Sequence, residues 1–171
     1  MQIAPYTYGD THINGAFLRE AQTASAAHPK TGMVVISDLV DDVKNIHPNL
    51  KKEVATRLSN YALAETYGIK GLTYKSPTYA AHAVEKGSIR IQFKDVPTTL
   101  MSKGGELTDF FIAGADGVFV PAKAKIEEKT VLVSAKTVKD PVYVRFGFTN
   151  TAMHNLFSAE GLPVNIFRTD K

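Results

Sequence analysis

The sequence has no cysteine in 171 residues. That excludes disulfides, a thiol nucleophile and cysteine-ligated zinc, and it leaves the redox compartment open. No apolar run approaches the ~20 residues that a membrane span requires. The opening stretch, MQIAPYTYGD, has neither the basic start nor the apolar core of a signal peptide. There is no block of basic residues. The net charge of +3 is split between a first half with six basic and seven acidic residues up to Gly68, and a second with fourteen and ten. Such a mild, dispersed excess argues against nucleic acid as a partner. Also missing are an HExxH pair, a GxSxG elbow and a glycine-rich loop leading into a helix. Those gaps remove the sequence signals for a protein-bound metal, for a serine nucleophile and for a phosphate cradle.

What is present is a globular composition, 44% hydrophobic and 22% charged. Its patterning changes near Leu72. Before that point the order reads strand, helix, strand, loop, helix. QIAPY is a short apolar run closed by Pro5. Asn14 is placed to cap a helix through GAFLREAQTASAAH, with Phe17, Ala21, Gln22 and Ala24 at turn spacing. MVVI, from Met33 to Ile36, is apolar on both faces, as a buried parallel strand would be. Pro48 suits the first turn of a second helix. That helix presents Val54, Leu58, Tyr61, Ala62 and Leu63 to a core and leaves Lys51, Lys52, Arg57 and Glu65 outside.

Beyond Leu72 the period is two. SIRIQF sets Ile89, Ile91 and Phe93 on one face, and PVYVRFGF does the same with Val142, Val144, Phe146 and Phe148. AKAKIE and TVLVSA flank a polar turn at Glu127-Glu128-Lys129 and predict a hairpin. The fold class expected is therefore α/β over residues 1–68, half of a doubly wound sheet, followed by an antiparallel β-sandwich-like domain over 69–171.

Chemistry concentrates in DLVDDVKNIHP, which holds Asp38, Asp41, Asp42 and His47 between a buried strand and a helix start. Ligands gather beyond the carboxyl ends of strands in doubly wound sheets. A histidine there can take a proton from a nucleophile when a carboxylate holds its other ring nitrogen. On spacing alone, a capped helix and a solvated acidic loop fit as well. A cation loop fits less well, because the EF-hand glycine and final glutamate are absent. Ser37 is the only serine close to the loop in sequence, and no nucleophile announces itself. His12, His28, His82 and His154 read as loop or strand-face residues, none with a second ligand at metal spacing.

Several runs, QIAPY, FLREAQ, TGMVVISDL, NIHPNLKKEVATRLSNYAL and the tail PVYVRFGFTNTAMHNLFSAEGLPVNIFRTD, resemble, in order, the C-terminal part of sialate O-acetylesterases of the SGNH hydrolase class. The resemblance implies a flavodoxin-like α/β sheet followed by a β-rich region. It also implies a serine carbohydrate esterase without cofactor or metal, acting on O-acetylated sialic acid or a related acetylated sugar. His47 inherits the general-base role from the family's Asp-Ile-His-Pro motif. Here Asn45 stands two residues before the histidine, in place of the acid, so the orienting carboxylate falls to Asp42 or Asp38. Arg19 and Gln22, at i and i+3, become candidates for substrate binding, with a structural ion pair as the competing role for Arg19.

The family's serine block lies upstream of the segment that matches Met1. The chain is thus expected to carry the histidine half without the nucleophile, and to be inactive alone. Its open α/β sheet is expected to call for a missing N-terminal half or a self-partner. Members of the family are often exported, which leaves the compartment open. The competing reading is a non-catalytic carbohydrate-binding or structural β-module with an α/β appendage, using Tyr74, Tyr79 and Tyr143 for sugar stacking.

Overall fold

Ten strands, all of them paired antiparallel, follow two helices in the computed structural model, which describes residues 1–9 and 12–170. The helices are α1 (Asn14–Ser25) and α2 (Lys51–Glu65). The strands are β1 (Thr78–Glu85), β2 (Ser88–Lys94), β3 (Leu100–Ser102), β4 (Phe110–Ala113), β5 (Val120–Pro121), β6 (Lys123–Glu127), β7 (Thr130–Ser134), β8 (Tyr143–Phe146), β9 (Leu156–Ser158) and β10 (Phe167–Arg168). One four-stranded sheet runs β1-β2-β7-β6, a second runs β10-β8-β4-β5, and β3 pairs with β9.

The alternation read from the sequence sets the core of this β region. Ile89 and Ile91 on β2, Val131 and Val133 on β7, Phe110 and Ile112 on β4, and Val144 and Phe146 on β8 meet in one apolar cluster drawn from both large sheets. Burying each such side chain stabilises the fold by about 1.5–3 kcal/mol. The β6–β7 hairpin turns where expected, with Glu128 in the left-handed region at φ 56°. β8 ends at Phe146 because Gly147 takes φ +59°. Phe148 therefore leaves the β core and packs with Ala16 and Ile166 against α1.

The first half departs from expectation. No strand forms among its described residues. Gln2–Tyr6 and Met33–Ile36 lie side by side, and the Gln2 N–H donates to the Val34 carbonyl at 2.9 Å. The Ile3 N–H is taken instead by the Gln22 side chain. A buried ladder needs successive backbone pairs; here two extended segments share too few to make a sheet. Val34, Val35 and Ile36 are nonetheless buried, as their two-sided apolar pattern requires, and pack with Ala4, Leu39 and Val40. Among the described residues the chain is thus β-rich with two helices. The parallel sheet of an α/β domain does not form within it.

Both helices also turn differently from the sequence reading. α1 buries Gly15, Ala16 and Arg19, while Phe17 remains exposed. Asn14 lies within α1 and caps nothing. The Gly15 N–H is capped from a distance by Asn150 Oδ1 at 2.7 Å. α2 starts at Lys51, after Pro48, and buries none of its residues fully. Val54 and Tyr61 pack against Val34 and its neighbours, but Leu58 and Leu63 are exposed. Arg57, expected outside, turns inward onto an acid partner.

Candidate active site

The acidic loop starts where the buried run Val34–Ser37 ends. The Leu39 N–H closes a turn on the Ile36 carbonyl. Asp38 follows at once, and its carboxylate grips the Arg57 guanidinium of α2 with two hydrogen bonds, Nη1 to Oδ1 at 2.7 Å and Nη2 to Oδ2 at 2.6 Å. Arg57 Nη1 also donates to the Val35 carbonyl at 2.6 Å. Asp38 thus ties the end of one segment to the helix that follows the loop. Both of its oxygens are engaged by Arg57, and neither bonds to the His47 ring.

The remaining acids are used locally. Asp42 Oδ1 accepts from the Lys44 N–H at 2.8 Å, and the Asp42 carbonyl accepts from the Asn45 N–H at 3.0 Å. Asp41 Oδ2 accepts from Asn49 Nδ2 at 2.8 Å. Asn45 Oδ1 accepts from the His47 backbone N–H at 2.9 Å, an Asx turn of the kind that a short amide side chain makes two residues ahead. The His47 ring is exposed and has no hydrogen-bond partner among the described residues. Neither Asp42 nor Asp38 bonds to it. The geometry presents an imidazole to solvent on a loop pinned at both ends. Of the two proposed acids, only Asp42 retains an oxygen outside the bonds just described.

Of the two residues assigned to substrate, Arg19 is buried and Gln22 is half-buried. Arg19 is 1% exposed and donates to the backbone carbonyls of Thr149 and Asn150. Burial draws its guanidinium down to about 10, against the opposing influence of Tyr8. Among the described residues it makes no ion pair with a carboxylate, and peptide carbonyls solvate the cation. Gln22 Oε1 holds the Ile3 N–H at 2.8 Å and anchors the first extended segment to α1. Sequence spacing placed both on one helix face correctly, but that face looks inward.

One pair escaped the sequence reading altogether. Ser37 Oγ and His154 Nε2 lie 3.3 Å apart, both buried, 117 positions apart in the chain. Burial lowers the His154 imidazole to about 4; Asp38 favours its protonated form and Arg19 opposes it. Among the described residues its Nδ1 completes no hydrogen bond. Buried so, the pair resembles a nucleophile and base only in composition. Among the described residues no carboxylate holds the second nitrogen. Among the described residues no group of three or more His, Asp or Glu is gathered to hold a metal ion.

The tyrosines offered for sugar stacking are half-buried rather than exposed. Tyr79 stacks on Phe167 at 5.1 Å between centroids, and Tyr74 meets Tyr61 edge to face at 5.3 Å. His82 accepts or donates through Nδ1 with the Tyr79 hydroxyl at 2.7 Å, and His28 lies exposed beside its own turn.

Comparison with known proteins adds one informative match. The structure superposes on a carbohydrate acetylesterase from Xanthomonas citri with a TM-score of 0.92 and 35% sequence identity, over 99% of this chain and 40% of that one. The chain therefore spans well under half the length of that protein. No family model and no curated protein matches the sequence.

Proposed function

We propose that this chain is the histidine-bearing portion of a carbohydrate O-acetylesterase, with O-acetylated sialic acid or a related acetylated sugar as substrate. The carrying observation is the match to a carbohydrate acetylesterase across nearly all of the chain at 35% identity. His47 is the general base, supported by its exposed ring on a loop that Asp38, Arg57 and Asn45 hold in place. Residues 1–68 supply this loop and two segments, Gln2–Tyr6 and Met33–Ile36, suited to enter a larger flavodoxin-like sheet of the SGNH type. Residues 69–171 form the β region beside it.

In the assembled enzyme a serine from polypeptide outside this chain attacks the acetyl carbonyl. His47 takes the serine proton and passes it to the departing sugar oxygen. Water then attacks the acetyl-serine, His47 again moving the proton, and acetate leaves. Asp42 is the acid available to steady the imidazolium. Asn45 cannot carry that charge and acts through the backbone instead.

The test is a chromogenic acetyl-ester assay on this chain alone and after mixing with the remaining portion of an acetylesterase of this kind. The chain alone is expected to be inactive and the mixture active, with His47→Ala removing about 10³-fold or more of the rate. Activity that survives His47→Ala removes His47 as the base. Glycan binding by residues 69–171 without any hydrolysis by the mixture would favour a binding module instead.

A further inference from the structure

Buried polar side chains are concentrated in one place. Among the described residues Gln2, Arg19, Ser37, Asn150, His154 and Asn165 are all buried where the first 68 residues meet the β region. Gln2 Nε2 donates to Asn165 Oδ1 at 2.7 Å, Asn150 receives Gly15, Tyr6 and Arg19, and Ser37 meets His154. Only one of these contacts touches the candidate site. Ser37 immediately precedes Asp38, which holds Arg57 on α2, so the loop carrying His47 leaves from a point fixed on one side by α2 and on the other by His154.

We propose that the Ser37–His154 hydrogen bond is the strut that sets the starting point of the His47 loop, and that proton uptake by His154 releases it. Ser37 and His154 are positioning residues here, acting through the loop. The consequence for catalysis rests on the esterase reading above; the strut itself does not.

The surroundings of His154 explain why a proton is disruptive. Phe146 of β8 lies against the ring at 4.5 Å between centroids, and Gly147 is so close that a Cβ there would sit 3.2 Å from His154 Cδ2. Among the described residues two charged groups act on the ring. Asp38, one residue beyond Ser37, favours the proton, and Arg19 on α1 opposes it. The Leu156 backbone also favours the charged ring, yet Nδ1 completes no hydrogen bond. A cationic ring would thus bury an N–H without an acceptor, a cost that fixed apolar walls cannot relieve. The way out is movement of the 152–155 segment away from Ser37. Asp38 is engaged with Arg57 and can follow the charge only by releasing α2. Either motion loosens the loop.

Residue-resolved amide hydrogen exchange on this chain at pH 7 and pH 5, corrected for intrinsic rates, tests the strut without any need for esterase activity. Protection at Leu39, Lys44, Asn45 and His47 is expected to fall roughly tenfold at pH 5, and by clearly more than at Tyr6 and Gly15. His154→Gln, which bonds but takes no proton, is expected to remove the pH dependence. Ser37→Ala, the milder change, is expected to loosen the loop already at pH 7. Loop protection equal at both pH values overturns the proposal, as does a Ser37→Ala loop indistinguishable from wild type. A loss at the loop no larger than at Tyr6 and Gly15 also overturns it, since the loop is then released only together with the rest of the fold. In the assembled enzyme, kcat/KM of His154→Gln is expected to hold at pH 5 better than wild type. If the exchange results hold and no hydrolysis occurs, the esterase reading fails and the strut stands.

Discussion

Asp38 and Arg57 clasp each other through two parallel hydrogen bonds, across a gap in sequence that contains the whole His47 loop. Both side chains are largely shielded from solvent. A fork-to-fork pair in that setting fixes orientation as well as distance. Removing one partner leaves the other buried and uncompensated. Asp38→Ala is therefore expected to cost about 3 kcal/mol in chemical denaturation, and Asp38→Ala/Arg57→Ala less than the sum of the single changes. Additive single effects would show that the two ends of the loop are not coupled through this pair.

Acid should weaken the fold before carboxylates titrate. His154 binds its proton at about 4 when folded, below the ~6.5 of an unfolded histidine. Between those values the unfolded chain holds more protons, so stability rises with pH across this window. The full contribution is present above pH ~6.5 and is lost progressively down to pH ~4, about 3 kcal/mol in all. Urea midpoints measured from pH 7 to pH 4.5 are expected to fall in the wild type. In His154→Gln the decline over that range should be largely absent.

Asn150 joins three elements at once. Its Oδ1 caps Gly15 at the start of α1, its Nδ2 donates to the Tyr8 carbonyl at 2.8 Å, and its own carbonyl accepts from Tyr6 at 3.0 Å. Asn150→Ala removes the first two and strands buried backbone groups, an expected loss of about 2 kcal/mol. Asn150→Asp keeps the acceptor but not the donor, and thermal melts should place it between wild type and Asn150→Ala.

Gly32 makes room for Tyr61. A Cβ at this position would lie 2.3 Å from Cε1 of the ring, so Gly32→Ala must push Tyr61 off its seat against the cluster that includes Val34. The expected cost is about 1–3 kcal/mol. Gly32→Ala combined with Tyr61→Leu should recover part of it. A double variant no more stable than Gly32→Ala alone would mean that the ring is not what the glycine accommodates.

The β region was legible because its signal is local. Alternation at Ile89, Ile91, Val131 and Val133 and the turn at Glu127–Lys129 carry their own explanation within a few residues. The helices were located but their faces were misread, for a physical reason. Arg57 looks like a solvent residue in any window, and the carboxylate of Asp38 makes its burial tolerable; the carbonyls of Thr149 and Asn150 that house Arg19 lie 130 and 131 positions away. His47 stood out by position and by the Ile-His-Pro resemblance. The fate of Asp38 did not, because its partner lies 19 residues on. Nothing near Ser37 points to His154. That pairing is a property of the closed tertiary structure, and no periodicity encodes it.

The cap on α1 has a temporal meaning. A 12-residue helix is marginal in water on its own, and the side chain that completes its first turn is 135 positions away. During synthesis α1 leaves the ribosome long before Asn150 does. It must wait, uncapped and with Arg19 unhoused, until the late strands arrive. The start of this chain is thus among the last parts to become settled, and the interval before closure is when chaperones or proteases have their chance to act on it.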